Sequence, residues 1–257
     1  MQCSFRLRAS FGAAASLVLV LIALSPALAR DNSSAAFSTL GTHTAFSAIT
    51  AKGTSKAFGG WVFAHKGTTS VVSKFKLPSL KCTSRLRGVG PGTFMVTGTR
   101  KAPKQNVAGV LMECSGGTPA AQAVATVDGA TTRSPHALFV GDLMKGTVTT
   151  SATKTTATIQ DLTAGHKFKL TKTGAGAASL KEALIDDALI TSTHKQVPVA
   201  NFGTIRFTAG KVGGKPLGSV KLREAFNMET STHVLEILTG GLTGKTKKAF
   251  TTTWKHS

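Results

Sequence analysis

Apolar and polar residues alternate along short stretches of this chain instead of recurring every three or four positions. Lys74-Phe75-Lys76-Leu77 alternates, as do His166-Lys167-Phe168-Lys169-Leu170-Thr171-Lys172 and Gly203-Thr204-Ile205-Arg206-Phe207-Thr208. A period of two sends successive side chains to opposite faces of an extended strand, so each stretch predicts a strand with one face buried and one wet. Other short runs fit the same pattern: Trp61 to Ala64, Ser70 to Leu77, Val107 to Cys114, Gln122 to Val127, Thr147 to Thr150, Thr155 to Ile159, Val234 to Leu238 and Ala249 to Trp254. Clusters such as Gly88-Val89-Gly90-Pro91-Gly92 and Gly174-Ala175-Gly176 read as the turns that separate them. Many short strands with frequent turn signals predict an all-β fold, a sandwich of antiparallel sheets. No internal repeat and no linker divides residues 55–257, which are expected to form one domain.

The first 29 residues have the pattern of an export signal. Arg6 and Arg8 precede the apolar run Ala13 to Leu24, and Ala27-Leu28-Ala29 supplies a small-x-small cleavage site before Arg30. The apolar run is short for a bilayer span and no second one follows, so a secreted protein without a transmembrane anchor is expected. Residues 30–54, rich in Ser, Thr and Ala, are expected to be an N-terminal leader with one strand at Phe46 to Thr50.

Charge changes the picture next. The chain carries 31 Lys and Arg against 11 Asp and Glu, a formal charge of +20 that falls to +18 when Arg6 and Arg8 leave with the signal. Such a surface attracts polyanions, which outside a cell are anionic wall polymers, acidic polysaccharides and membrane surfaces. Nucleic acid is not expected as a partner, because no RNP-type aromatic motif or recognition-helix pattern accompanies the lysines. Acid unfolding comes largely from protonating carboxylates that the folded state holds ionised, so a carboxylate-poor chain is expected to tolerate acid. Cys3 lies within the signal, and the two remaining cysteines, Cys82 and Cys114, predict one disulfide in an exported chain. Neither has a His or Asn context that would make it a nucleophile.

Several motifs carry no chemistry. Gly240-Gly241-Leu242-Thr243-Gly244-Lys245-Thr246 looks like a phosphate-binding loop, but its first required Gly is Thr239 and a strand-like segment follows it. It reads as a glycine turn between two strands. The seven His residues, His65, His194 and His233 among them, show no metal-ligand spacing, so no metal site is expected. No G-x-S-x-G nucleophile elbow occurs.

Three of the 11 acids lie together in Glu182-Ala183-Leu184-Ile185-Asp186-Asp187. Alternation puts Glu182, Leu184 and Asp186 on one face of a strand and Ala183, Ile185 and Asp187 on the other. A carboxylate on an inner face is costly unless it is partnered or functional. Burial and neighbouring acids raise its pKa, which suits general acid–base work. The alternative is a strand end whose acids face water or pair with lysines such as Lys181.

In their order, these blocks resemble the eqolisins, the secreted glutamic peptidases. Phe58-Gly59-Gly60-Trp61-Val62 resembles the family's opening strand, and Val71 to Pro78 followed by Cys82 its next one. Ala108-Gly109-Val110 and Glu113 to Pro119 resemble its middle block, Val140-Gly141-Asp142-Leu143 its Gly-Asp turn, and Thr155 to Leu162 with Gly165 the strand and turn after it. Glu182 to Asp186, Val199 to Thr208 and Phe250 to Trp254 resemble the acidic strand, its partner and the last strand. The likeness runs from about residue 57 to 257. It implies a concanavalin-like β-sandwich of two large curved antiparallel sheets, with an active site on a concave face. It also implies hydrolysis of polypeptides at acid pH, by a Glu acting as acid and base on water and a Gln holding the oxyanion. Neither metal nor cofactor is implied, and a monomer is expected.

The catalytic positions are altered. The family's Glu falls on Asp186, its Gln on Val107 and a typical Trp on Phe94. Gln105 is the candidate to replace the Gln, on the same face of a regular strand or brought closer by a bulge. Phe58, Trp61, Phe94 and Glu182 are expected to line the substrate cleft. Asp is one methylene shorter than Glu, and a displacement of about 1 Å can cost about 10²-fold in rate. Loss of an oxyanion donor costs on the order of 10²–10³-fold. Two functions remain open: a weakened acid-acting endopeptidase with Asp186 and Gln105 as its catalytic residues, or an inactive relative that binds an anionic extracellular polymer.

Overall fold

The structure, a computed structural model, describes residues 54–55, 58–64, 68–83, 88–98, 103–115, 117–173, 182–190, 199–221, 223–229 and 234–255. The expected leader strand at Phe46 to Thr50, the Gly174–Gly176 turn, and His65, His194 and His233 lie outside them. The described residues form sixteen strands, and none of their helices is long and apolar enough to cross a membrane.

In chain order the strands are β1 (Thr54–Ser55), β2 (Phe58–Ala64), β3 (Ser70–Lys76), β4 (Gly88–Gly98), β5 (Pro103–Ser115), β6 (Thr118–Val127), β7 (Ala130–Arg133) and β8 (Leu143–Thr150). Then follow β9 (Lys154–Asp161), β10 (Lys167–Thr173), β11 (Glu182–Ile190), β12 (Thr204–Val212), β13 (Lys215–Pro216), β14 (Arg223–Glu229), β15 (Leu235–Thr239) and β16 (Phe250–Trp254). The hydrogen-bonded order is β10-β9-β8-β3-β12-β16-β15-β14-β2-β11-β4-β5-β6-β7, with β1 beside β14 and β13 beside β12. Every neighbour pair along this path is antiparallel. The ladder folds back on itself: β14 pairs with β15 on one side and β2 on the other, with a register shift at Met228/Glu229. One layer, β10-β9-β8-β3-β12-β16-β15, then packs face to face on the other, β2-β11-β4-β5-β6-β7, as the alternating pattern predicts.

The runs of alternation became strands because burial follows them residue by residue. In β8 and β9, Met144, Gly146, Val148 and Thr150, and Thr155, Ala157, Ile159 and Asp161, are buried and their neighbours are wetter. Phe63, Phe75, Phe202, Phe207 and Phe250 fill the space between the layers, and each buried ring contributes roughly 1.5–3 kcal/mol by leaving water. The Phe207 ring stacks on Phe250 at 4.9 Å and tilts against Phe75 at 5.6 Å.

One sequence expectation is corrected. Gly88-Val89-Gly90-Pro91-Gly92, read above as a turn, is the first half of β4. Its glycines are there for close packing within the sheet: a Cβ on Gly88 would stand 2.3 Å from the Met112 carbonyl oxygen. A glycine cluster signals a turn or a close backbone approach, and here the second won. The Gly240–Thr246 segment is the turn expected between β15 and β16.

Three ties hold the layers. Cys82, just after β3, is disulfide-bonded to Cys114 in β5. Ser73 Oγ of β3 and Thr93 Oγ1 of β4 are 2.6 Å apart and buried between the sheets. At the free edges, Asp128 in the β6–β7 turn takes Lys104 of β5 at 2.8 Å and Lys172 of β10 at 3.3 Å. That turn is a two-residue Asp-Gly hairpin, with φ of 51° at Asp128 and 78° at Gly129, the conformation such hairpins require. Asn106 fastens it: its Oδ1 accepts from the Asp128 N–H at 3.2 Å, while its amide donates to Met95 O at 2.9 Å.

The layers touch closely at Gly146, where a Cβ would fall 2.5 Å from Thr93 Oγ1 and 2.6 Å from Ala108 O. We expect Gly146→Ala to cost on the order of 1–3 kcal/mol, the range for overpacked cores, read as a lower urea midpoint with unchanged slope. Unaltered stability would mean the layers do not meet there.

Candidate active site

The site is built by register. β11 lies between β2 and β4. Asp186 is set against Gly60 on one side and Gly92 on the other, and the row continues through Gly109 of β5 and Val124 of β6 to Arg133 of β7. The residues directly opposite position 186 are therefore glycines on both flanks. Gly92 and Gly109 are also crowded together: a Cβ on Gly92 would lie 3.2 Å from Cα of Gly109 and 3.0 Å from Cε2 of Phe94. The Phe94 ring therefore folds back over Gly92 toward this row.

The next row along holds Leu184, Phe94 and Val107, and the one after it Glu182, Val96 and Gln105. Val107 is fully buried and Phe94 nearly so. With strands about 4.8 Å apart and about 3.3 Å per residue, Val107 is roughly 12 Å from Asp186 between Cα atoms, and Gln105 roughly 16 Å. β5 is registered against β4 without a shift from Gly109 to Pro103, so no bulge brings Gln105 nearer. Its row partner is Glu182, roughly 10 Å away across β4.

The residues expected in the cleft divide between two faces. Phe58 shares the parity of Gly60 and Val62, and its ring meets Phe226 at 5.6 Å. Trp61 has the opposite parity. It packs toward the core between the layers, stacks on Phe63 at 6.2 Å and donates from Nε1 to Gly240 O at 3.1 Å.

The same face carries a polar corner that the sequence did not flag, because its members come from three strands with no common spacing. Arg133 Nη1 donates to Gln122 Oε1 at 3.1 Å, and Gln122 Nε2 donates to Ser134 O at 3.1 Å. Glu113 lies close by, its Cγ against Gly88. Burial pushes the Glu113 carboxyl above its ordinary pKa, and the Arg133 charge pulls it part of the way back. At Asp128 burial also pushes upward, but hydrogen bonds and charge from Lys104 and Lys172 overcome it and leave that carboxyl below the ordinary value. Among the described residues no group of three or more His, Cys, Asp or Glu could hold a metal ion.

Comparison with known proteins bears on this face. The peptidase A4 family model matches residues 56–249. Scytalido-glutamic peptidase, solved with a peptide-based transition-state analog, superposes with a TM-score of 0.60 and 16% identity, over 78% of this chain and 98% of that one. SCP-B, a member of the eqolisin family solved in complex with the tripeptide Ala-Ile-His, superposes with a TM-score of 0.58 and 18% identity, over 78% and 98%. At these identities the likeness is one of fold. No curated protein sequence matches the chain.

The two shifted carboxyls each tie stability to acid. Glu113 binds its proton more tightly folded than unfolded, so stability rises as pH falls toward the unfolded Glu value of about 4.3. Asp128 binds its proton less tightly folded, so its contribution is lost as pH falls below the unfolded Asp value of about 3.9. We expect a melting temperature that peaks near pH 4, with Glu113→Gln flattening the limb above the peak and Asp128→Asn the limb below. A melting temperature that drops steeply from pH 6 would contradict this.

Proposed function

The chain belongs to the peptidase A4 family, and we propose that it is an exported member that keeps the polypeptide-binding sheet face and has lost most of its hydrolytic power. The export pattern at Arg6, Arg8 and Ala27 to Ala29 supports the location. The observation that carries the loss is Val107, a fully buried apolar side chain at the position where the family resemblance calls for the oxyanion amide. Substrates are polypeptides, bound without a metal or cofactor.

In this proposal residual activity rests on Asp186. Its carboxylate takes a proton from water as the water oxygen attacks the scissile carbonyl carbon. The carbonyl oxygen gains the negative charge, and protonated Asp186 then gives its proton to the leaving amine as the C–N bond breaks. The step that fails is the middle one. Val107 cannot donate to the oxyanion, and Gln105, four residues out of register with Asp186, is too far to take its place. The row of Gln105 and Glu182 also carries the family's residue types, but with their backbones roughly 10 Å apart across β4. A second reading, a binding module for anionic polymers, is favoured by how charge is distributed over the other layer.

The test is proteolysis of a denatured protein between pH 2 and pH 7. We expect a slow, acid-favoured cleavage that Asp186→Ala abolishes. Asp186→Glu combined with Val107→Gln should raise kcat/KM by at least about 10²–10³-fold, the size of the restored oxyanion donor alone, in a variant whose melting confirms it is folded. No gain in the folded double variant, or full activity in Asp186→Ala, would sink the proposal.

A further inference from the structure

The layer formed by β10, β9, β8, β3, β12 and β16 turns one face to the core and the other away from the protein. Its outward face carries Lys167 and Lys169 of β10, Lys154 of β9, Lys145 of β8, Lys74 and Lys76 of β3, and Arg206 and Lys211 of β12. All are exposed or half-exposed. Among the described residues no carboxylate stands on that face. Asp161, the one acid in these six strands, has the inward parity, is buried, and accepts from the Thr163 and Ala164 N–H groups.

The basic residues are aligned by register. One cross-strand row runs Lys167, Gln160, Lys145, Lys74, Thr208, and the next runs Lys169, Thr158, Thr147, Val72, Lys211. A third row is Thr171, Thr156, Thr149, Ser70. Each five-strand row spans roughly 19 Å. Lys145 and Lys74 are direct neighbours, and the β3–β12 register continued one step sets Lys76 beside Arg206. Like charges directly opposed in a sheet destabilise it. A fold with a carboxylate-free face built this way gains when an external anion neutralises it.

We propose that this outward face binds a linear acidic polysaccharide, with the chain lying across the strands along the two lysine rows. This rests on the second reading given above. Ammonium groups spaced along a row match carboxylates repeated along a polymer, and the Thr, Ser and Gln side chains between them offer hydrogen bonds to sugar hydroxyls. Nucleic acid and membrane fit less well. The face presents no aromatic ring for bases to stack on. Its two apolar residues in these rows and beside them, Val72 and Leu143, are half-buried within the sheet and form no inserting tip.

The experiment measures binding of the purified protein to polygalacturonate by calorimetry across a salt series. It compares wild type, a face variant (Lys74→Gln, Lys145→Gln, Lys169→Gln) and a control variant of equal charge (Lys215→Gln, Lys221→Gln, Lys245→Gln) that removes exposed lysines elsewhere. We expect affinity that falls with salt, a loss of about tenfold or more in the face variant, and little change in the control. Equal losses in the two variants would overturn the face while leaving polymer binding standing. Absence of binding in wild type would overturn both. Tighter binding to duplex DNA, or to vesicles of anionic phospholipid, at the same salt would overturn the choice of polysaccharide. Melting curves and acid proteolysis of the face variant separate loss of the surface from loss of the fold.

Discussion

Two hydroxyl groups, Ser73 and Thr93, meet at 2.6 Å in the dry space between the layers, and much else depends on that approach. It is possible because Gly146 has no side chain to hold the sheets apart. A buried hydroxyl without a partner is costly, so the contact fixes which parity of β4 looks inward. With Thr93 inward, Gly92 and Phe94 must look outward. The pairing of β11 with β4 then sets Asp186 in the row of Gly92 and Gly109. The site's geometry is thus a consequence of how the two sheets are spaced and held. The Cys82–Cys114 bond and the Asp128 clasp act toward the same end at other points of the interface.

The two outward faces have divided the chain's chemistry. The face of β2, β11, β4 and β5 is apolar and glycine-lined, with Phe58, Phe94, Val107 and Phe226 buried along it, and the acidic strand crosses it. The face of the opposite layer is threonine and lysine. Segregation of this kind lets one molecule hold a polypeptide on one side and an anionic chain on the other without either interaction disturbing the core. Weak catalysis and strong polymer binding are compatible on such a scaffold, because they draw on different residues.

Much of the fold could be read from the sequence because inward and outward positions alternate cleanly in β3, β8, β9 and the first half of β12, where a hydrophobic core on one side and water on the other enforce the period. The disulfide followed from an even cysteine count. β4 was hidden because its first half is glycine and proline, residues that mark turns unless a neighbouring backbone presses close, and only the fold supplies that neighbour. β7 was missed because its four residues, Ala130 to Arg133, carry no large apolar side chain, and β14 because it opens on the charged pair Arg223-Glu224. At the site, the acidic strand was legible as a cluster of carboxylates in a chain that has few. The separation of Gln105 from Asp186 was not, since it depends on the register between β11, β4 and β5. Trp61 and Phe58 are three positions apart in one strand, so their opposite faces could have been read from parity alone. The corner of Glu113, Gln122 and Arg133 joins three strands and leaves no trace in any one of them.

The central claim is that the face carrying Asp186 still receives an extended polypeptide although its catalytic machinery is depleted. The most direct measurement is amide NMR of the labelled protein titrated with a non-cleavable peptide at acid pH. Shifts concentrated at Gly60, Gly92, Val107 and Gly109 are expected. Shifts confined to the threonine–lysine face, or none at millimolar peptide, would contradict the account.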